Sequence, residues 1–570
     1  MSCHSHRGRS NRTPSGAAVA AIAATCLGTS AIAPASDMRF TDVTKASGIE
    51  WVMTCGRLPA SEILEVDGGG VAFIDFDNDG DLDLFFANGA TMKDPENGPG
   101  SRLFANRGDG TFEDVTEKLG IRLTRWAMGA AVGDFDGDGW DDIYVTCYGP
   151  DVLLRNECFR KEGPRFVDVS AEAGISRDHR WGASAGFGDI DGDGDLDLYV
   201  ANYLEFDVKN PPARTEKTFK GVPVMAGPAG LIAEDDILYE NLGGGKFRDI
   251  TKAAGIVEEP PGYGLGVRLF DFDSDGRLDI FVGNDSSGNY LFRNLGEKKF
   301  EDIAIPAGVF ANLEGTTQAS MGIGLADVDG NGHPDLFTTN FSSDTNTLFL
   351  NLGDGFFDDR TAQFGLGLIS RPFLSWGCGF FDFDHDGDED LFIASGHVYP
   401  EAATQKIDSE WAQDLLMFER NGKRFQRITD CGEMFARKFH GRATAFGDID
   451  GDGDIDIVMT TLNGPVYIFR NDSKPRDWLI VEPDGPKGNH RGYGSMVELR
   501  SSAGTQRRWI TGGGSFQSTD APSAHFGLGD FKRAENWTVV VRFPDGKLVN
   551  AAVEKPNRRM RIAHPSRAGK

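Results

Sequence analysis

The sequence predicts an all-β protein: a seven-bladed β-propeller followed by a small C-terminal β domain. Three observations carry this. A nine-residue acidic pattern occurs seven times, an aromatic-led pattern also occurs seven times between the acidic ones, and the chain enters and leaves the array at complementary points of the repeat. A repeat built from one short antiparallel unit cannot bury its apolar faces alone, so its copies must stack on one another.

The acidic pattern places carboxylate or amide oxygens at positions 1, 3 and 5, Gly at 6 and Asp at 9. The copies begin at Asp75, Asp134, Asp189, Asp271, Asp327, Asp382 and Asp448. Their candidate metal ligands are Asp75, Asp77, Asp79 and Asp83; Asp134, Asp136, Asp138 and Asp142; Asp189, Asp191, Asp193 and Asp197; and Asp271, Asp273, Asp275 and Asp279. The remaining copies offer Asp327, Asp329, Asn331 and Asp335; Asp382, Asp384, Asp386 and Asp390; and Asp448, Asp450, Asp452 and Asp456. Carboxylates this close repel one another unless a hard cation gathers their oxygens, and Ca2+, in up to seven loops, is the expected cofactor. A lone copy reads equally well as an acidic turn, since Asp and Gly are ordinary turn residues; seven copies in register favour the ion. The opening resembles an EF-hand loop without its twelfth-position Glu. Position 9 runs instead into an apolar, β-rich stretch such as Leu84-Phe85-Phe86 or Ile143-Tyr144-Val145, so each loop leads into a strand.

The second pattern starts at Phe40, Phe112, Phe166, Phe247, Phe300, Phe357 and Phe425, and a Gly-containing turn follows each. Before the last six lies another strand, such as Leu103-Phe104-Ala105-Asn106 or Leu291-Phe292-Arg293-Asn294. Each unit thus has a strand into the acidic loop, a strand out of it, and a hairpin. The Phe40 segment precedes every loop, and the last unit stops at Val466 to Asn471 with no fourth strand. The N-terminal strand is therefore expected to complete the last blade and cover its open edge.

Loop-to-loop spacings of 59, 55, 82, 56, 55 and 66 residues confine the insertions, chiefly to Tyr203–Asp236, with smaller ones at Gly89–Ser101 and Gly396–Asp414. Antiparallel connectivity puts these insertions at the opposite end of each unit from the acidic loop. Long loops on one side of a scaffold are the expected place for recognition. An aromatic and basic set there is a candidate rim of ligand-binding residues: Arg125, Trp126, Arg180, Trp181, Tyr263, Trp376, His440 and Arg442, with His397 in Gly396-His397-Val398-Tyr399-Pro400. The plainer expectation is that the aromatics plug the channel and that His397 is satisfied locally.

After Asn471 the acidic pattern ends. Lys474-Pro475-Arg476 reads as a linker, Trp478 to about Asn550 as short strands, and the basic stretch from Lys555 as a frayed tail. The expected domains are 1–36, an export signal; 37–473, the propeller; and 474–570, the C-terminal β domain and tail.

Several motifs resemble one known family. Asn340-Phe341-Ser342, Thr345-Asn346-Thr347-Leu348, Gly396-His397-Val398-Tyr399-Pro400, His525-Phe526-Gly527-Leu528-Gly529 and Val541-Arg542-Phe543-Pro544-Asp545-Gly546 are similar to the FG-GAP/VCBS-repeat proteins with a C-terminal ASPIC/UnbV domain, the cartilage acidic protein group. The resemblance runs from about Met38 to Asn550 and implies a secreted, calcium-binding propeller like the integrin α head, with no established reaction. Met225-Ala226-Gly227-Pro228 departs from the family's Cys before Gly-Pro, which argues against its disulfide here, and Arg542-Phe543-Pro544 stands where Trp-Pro is usual.

The formal charge of −29 excludes nucleic acid and anionic membrane as partners, and 32 Asp lie in the seven loops, where divalent ions would offset about half of the excess. Arg7, Arg9 and Arg12, the Ala-rich stretch Gly16–Leu27 and the small residues Ala31 to Ala35 read as a signal for export to periplasm or exterior. The stretch is too short and weakly apolar for a transmembrane anchor. Cys55, Cys378 and Cys431 read as packed thiols, and Cys147 with Cys158 as a weak disulfide candidate. No nucleophile elbow, HExxH or Cys-x-x-Cys occurs. The expected function is a monomeric, non-catalytic module that binds a protein or glycan at the cell surface. The alternatives are an exported lyase- or dehydratase-like enzyme of carbohydrates or natural products, and a structural surface scaffold.

Overall fold

The computed structural model describes residues 37–567 except 159–162, 164, 176–177, 213–217 and 404–408. The expected export signal therefore lies outside the described residues. No helix among the described residues is long and apolar enough to cross a membrane.

The repeats fold as seven four-stranded antiparallel sheets. The first comprises Val71–Ile74, Asp83–Phe86, Arg102–Asn106 and Phe112–Asp114; the second Ala127–Gly133, Asp142–Cys147, Val152–Asn156 and Phe166–Asp168. The third holds Gly182–Gly188, Asp197–Asn202, Ile237–Asn241 and Phe247–Asp249; the fourth Gly264–Phe270, Asp279–Asn284, Tyr290–Gly296 and Lys299–Asp302. The fifth holds Ile323–Ala326, Asp335–Thr338, Thr347–Asn351 and Phe357–Asp359; the sixth Ser375–Phe381, Asp390–Ser395, Leu416–Asn421 and Arg424–Ile428. The seventh combines Gly441–Gly447, Asp456–Thr461 and Tyr467–Asn471 with the N-terminal strand Phe40–Asp42, which pairs Phe40 with Asn471 and Asp42 with Phe469. The first strand of each sheet packs beside the first strand of the next, and that of the seventh beside that of the first.

In every sheet the second strand begins at position 9 of the acidic pattern. Gly at position 6 takes a left-handed turn, with φ of 94° at Gly80, which L side chains rarely adopt. In three repeats a single helical turn follows the fourth strand (Ser170–Ala173, Thr251–Ala254 and Ala304–Ala307) and ends on a left-handed Gly. That explains the Gly of the aromatic-led pattern.

Beyond Asn471 two more sheets form. Asp477–Asp484 is flanked by Ala524–Gly529 and Arg558–Ala563; Met496–Ser501 is flanked by Gly504–Trp509 and by Thr538–Arg542, which in turn pairs with Leu548–Ala552. The tail expected to fray is instead a strand: Arg558–Ala563 runs parallel to the first of these, pairing Leu479 with Arg558 and Asp484 with Ala563. Its alternating buried positions, Met560 and Ile562, supply the apolar anchor that composition alone concealed. Among the described residues all five cysteines are free, so Cys147 and Cys158 are not bridged; Cys147 is fully buried.

Candidate metal sites and the face that covers them

At each acidic loop the chain turns so that carboxylates meet. One oxygen each from Asp75, Asp77 and Asp83 lie within 4.8 Å of one another, as do those of Asp134, Asp136 and Asp142, of Asp189, Asp191 and Asp197, of Asp271, Asp273 and Asp279, and of Asp327, Asp329 and Asp335. Two more clusters of this kind occur. The gathering residues named here occupy positions 1, 3 and 9.

Position 9 has a structural duty as well. Asp83 accepts the Phe76 N–H at 3.1 Å and the Asn106 N–H at 2.8 Å, so it ties the loop to the third strand. Asp142, Asp197, Asp279, Asp335, Asp390 and Asp456 repeat the arrangement. Burial pushes the Asp83 and Asp335 carboxyls up to about 8. At position 1, the Gly at position 6 donates its N–H to the carboxylate, at 2.8 Å for Asp134 and 3.0 Å for Asp189. The Oδ1 atoms of Asp75, Asp271 and Asp327, and of Asp450 at position 3, are buried with no hydrogen-bond donor. Buried acceptors of this kind fit a hard cation with oxygen ligands, and positions 1, 3 and 9 would hold it.

Sequence reasoning missed a set of asparagines that join one loop to the next. The Asn106 side chain donates to Leu82 O in its own sheet and to Ile449 O in the seventh-sheet loop, at 3.0 and 2.8 Å. Asn156 reaches Phe76 O, Asn241 reaches Phe135 O, Asn294 reaches Ile190 O, Asn351 reaches Phe272 O and Asn471 reaches Phe383 O, each one sheet back along the chain. In the sixth sheet Arg420 fills the equivalent place, its N–H bound to Asp390, and no described bond of this kind reaches the fifth-sheet loop. The recurrent terminal Asn of the third strand was the available signal.

The C-terminal segment lies over the acidic loops. Six of the seven position-1 carboxylates receive a donor from it. Arg491 lies 3.5 Å from Asp75, His490 3.1 Å from Asp134, Arg542 3.4 Å from Asp271, Arg507 3.2 Å from Asp327 and Arg559 2.6 Å from Asp448, while Gly527 donates its N–H to Asp382 at 3.0 Å. Arg491 also pairs with Asp141, whose carboxyl, although buried, is held below the usual range by Arg491 and His490.

From this segment the stretch Gly512–Asp520 descends between the sheets, hydrogen-bonds to six of them and passes Gly322 at the start of the fifth. Thr519 exchanges backbone hydrogen bonds with Val71 and Phe73 and donates its hydroxyl to Ala130 O. The Gln517 N–H reaches Ser184 Oγ; Arg268 donates to Gly513 O at 2.6 Å; Cys378 N–H donates to Ser515 Oγ; and Phe446 N–H donates to Asp520. A Cβ at Gly322 would stand 2.8 Å from Ser515 Oγ, and one at Gly70 only 1.9 Å from Gln517 O, so glycines just ahead of these strands make room for the plug.

The three tryptophans of the expected rim are buried core. Trp126, Trp181 and Trp376 are 0%, 1% and 2% exposed. Tyr148 packs between the first two at 6.5 and 6.1 Å, Trp181 meets Tyr203 at 5.0 Å, and Phe516 of the plug meets Trp376 at 5.0 Å. Arg442 is fully buried over Trp376 and donates to Val66 O, Gly396 O and Gly441 O. Arg125 donates to Pro150 O and Arg180 to Asp235 O. Tyr263 and His440 are half-buried, the first bonded to Leu231 O and the second 4.5 Å from the Trp411 ring. His397 is satisfied locally: its Nδ1 accepts the Tyr399 N–H, which leaves Nε2 to donate to Ser342 Oγ at 2.9 Å, and burial lowers its pKa to about 3. Trp126, Trp181 and Trp376 present no stacking surface because burial of such large rings is favoured over their exposure.

The chain matches the FG-GAP-like repeat over residues 75–145, 271–338 and 327–393, the FG-GAP repeat over 181–214, and ASPIC and UnbV over 485–569. It is 27% identical over 523 residues to Cartilage acidic protein 1 of Mus musculus, covering 87% of this chain and 74% of the relative. The Homo sapiens protein of that name is 26% identical over 523 residues, covering 87% and 72%. Among solved structures, similarity extends to an Agrocybe aegerita lectin described as recognising non-reducing terminal N-acetylglucosamine, with 16% identity and a TM-score of 0.37 over 65% of this chain and 88% of that one. It extends also to a Bacillus licheniformis rhamnogalacturonan lyase, with 12% identity and a TM-score of 0.35 over 76% and 75%.

Proposed function

We propose that this chain, which carries FG-GAP repeats ahead of a C-terminal ASPIC and UnbV domain, is an exported, monomeric, calcium-binding seven-bladed β-propeller that serves as an interaction module for a protein or glycan at the cell surface. Residues 37–473 form the propeller and 474–570 the C-terminal domain. Support for the blade count comes from the seven equal sheets and from the asparagine bridges, the last of which returns from the first sheet to the seventh. The carboxylate clusters support calcium, whose part is to neutralise the loops and hold them in shape.

One observation carries the recognition reading. The acidic face lies beneath the C-terminal segment, whereas the opposite end, where the insertions emerge, opens into a cavity of about 950 Å³ with exposed Leu313 and Leu368 among its lining residues. The test is an array of extracellular glycans and proteins probed with the full chain in millimolar calcium and again in EDTA. Binding that weakens in Leu313→Arg and Leu368→Arg supports the reading. Binding that maps instead to the acidic loops, or turnover of a polysaccharide, overturns it.

A further inference from the structure

The cavity at the insertion end has a floor whose chemistry selects among ligands. On one side stand Phe219, Phe341 and Tyr399, three partly exposed rings inclined at 48° to 73° to one another with centroids 5.4 to 5.7 Å apart, which together form a faceted apolar wall. Deeper in, a recess of about 40 Å³ shares Met225, Phe341, Tyr399 and Asp285 with the outer cavity and adds Asp67 and Tyr203. This volume holds one hydroxyl-sized group or a water but no ring. Tyr203 donates its hydroxyl to Asp285 Oδ2 at 2.7 Å, and Ser286 Oγ donates to Asp285 Oδ1 at 2.8 Å, so that carboxylate is held in place. Asp67 is 3% exposed, and its Oδ2 is buried without a hydrogen-bond partner. A buried polar atom left unpaired beside a recess needs a hydrogen-bonding group from whatever fills that recess, a ligand hydroxyl or a water that such a hydroxyl can displace.

We infer that this cavity is a saccharide site: a sugar lies against the Phe219, Phe341 and Tyr399 wall and sends one hydroxyl or hydroxymethyl group into the recess between Asp67, Tyr203 and Asp285. The inference rests on the module reading above and narrows it from protein or glycan to glycan. The apolar C–H face of a sugar ring suits an aromatic wall, and its hydroxyl edge needs both donors and acceptors. The recess offers both. Burial, with the charge of Asp285 second, pushes Asp67 up to about 8, so near neutrality it is an O–H donor, while Asp285, raised by burial to about 6, is an acceptor. A cationic ligand fits less well, because the pair then carries one negative charge and the buried Arg442 guanidinium already acts on Asp67.

The experiment titrates the full chain, in millimolar calcium, with cellotetraose, maltotetraose, chitotetraose and mannotetraose by calorimetry. At least one should bind. Phe219→Ala and Asp285→Asn should each raise its Kd by about tenfold, with unchanged melting temperature. Asp67→Asn, which keeps an N–H donor, should bind within about threefold of the parent, and Asp67→Leu should lose binding. Because Phe219 stands on a peripheral hairpin, Thr218–Phe219 with Val222–Pro223, its variant serves even where an Asp67 variant fails to fold. No binding by any of the four overturns the saccharide site, while a protein ligand on the same array as above would leave the module reading standing. A tetrasaccharide that binds but ignores Phe219→Ala and Asp285→Asn overturns this location alone.

Discussion

Arg559, in the last strand of the chain, lies 2.6 Å from Asp448, the first residue of the last acidic loop, across 111 positions of sequence. Asp448 is almost fully buried and Arg559 about one-third exposed. In the absence of a metal, Arg559→Ala should therefore destabilise the protein by about 1–3 kcal/mol, below the range for a fully buried pair because water screens the guanidinium. Calcium in the same loop would compensate Asp448, so the loss should shrink when calcium is added. Urea melts of both forms in EDTA and in calcium check this, and an equal loss in both would separate the ion pair from the metal site.

Calcium itself should stabilise the fold. A ligand that binds only the native state contributes about 2.7 kcal/mol per site at a hundredfold over its Kd. Addition of EDTA should lower the melting temperature accordingly, and an unchanged melt would remove calcium from the account. Asp189→Ala should reduce the calcium-dependent gain more than Asn331→Ala, because Asn331 is neutral and its amide already donates to Asn351 O at 2.8 Å.

The inter-sheet asparagines should be worth more than surface amides. Asn156→Ala leaves the Phe76 and Asp141 carbonyls without their donor and should cost about 1–3 kcal/mol in chemical denaturation. A loss below about 0.5 kcal/mol would mean that water replaces the amide at both carbonyls.

The N-terminal strand should be indispensable. Phe40 is buried against Phe383 at 5.4 Å and Phe435 at 6.4 Å, so Phe40→Ala should cost about 3–5 kcal/mol. Deleting Met38–Thr44 would also bare the edge of Tyr467–Asn471 and promote association. Light scattering of the truncated protein decides: a stable monomer would refute the role of this strand.

Asp67 should tilt stability with pH. Its folded pKa is raised to about 8 from an ordinary value near 3.8, so the folded state keeps a proton that the unfolded chain releases. Its contribution is full below the unfolded value and falls as pH rises towards 8, by up to about 1.4 kcal/mol per pH unit. Asp67→Asn should remove that slope, so the variant should gain on the parent steadily between pH 5 and 8. Parallel pH-dependent curves for the two proteins would show that Asp67 ionises normally.

Much of this molecule is written in local pattern. Asp at position 9 opens the second strand in every sheet, Gly at position 6 makes the turn, and the early Phe40 segment complements the open end at Asn471, because strand period, turn chemistry and edge pairing depend on a few neighbouring residues. Those features also singled out the clustered carboxylates. What no local pattern contained was the path of the chain after Asn471. That Arg491, His490, Arg507, Arg542 and Arg559 between them meet five acidic loops, that Phe516 reaches Trp376, and that Arg558–Ala563 forms a strand are matters of which surfaces meet. The same holds for Trp126 and Trp181, whose spacing placed them at the insertion end but could not say whether other rings would cover them. Partners hundreds of residues apart are selected by packing and by the cost of leaving buried charge unpaired, and those terms exist only once the sheets have come together.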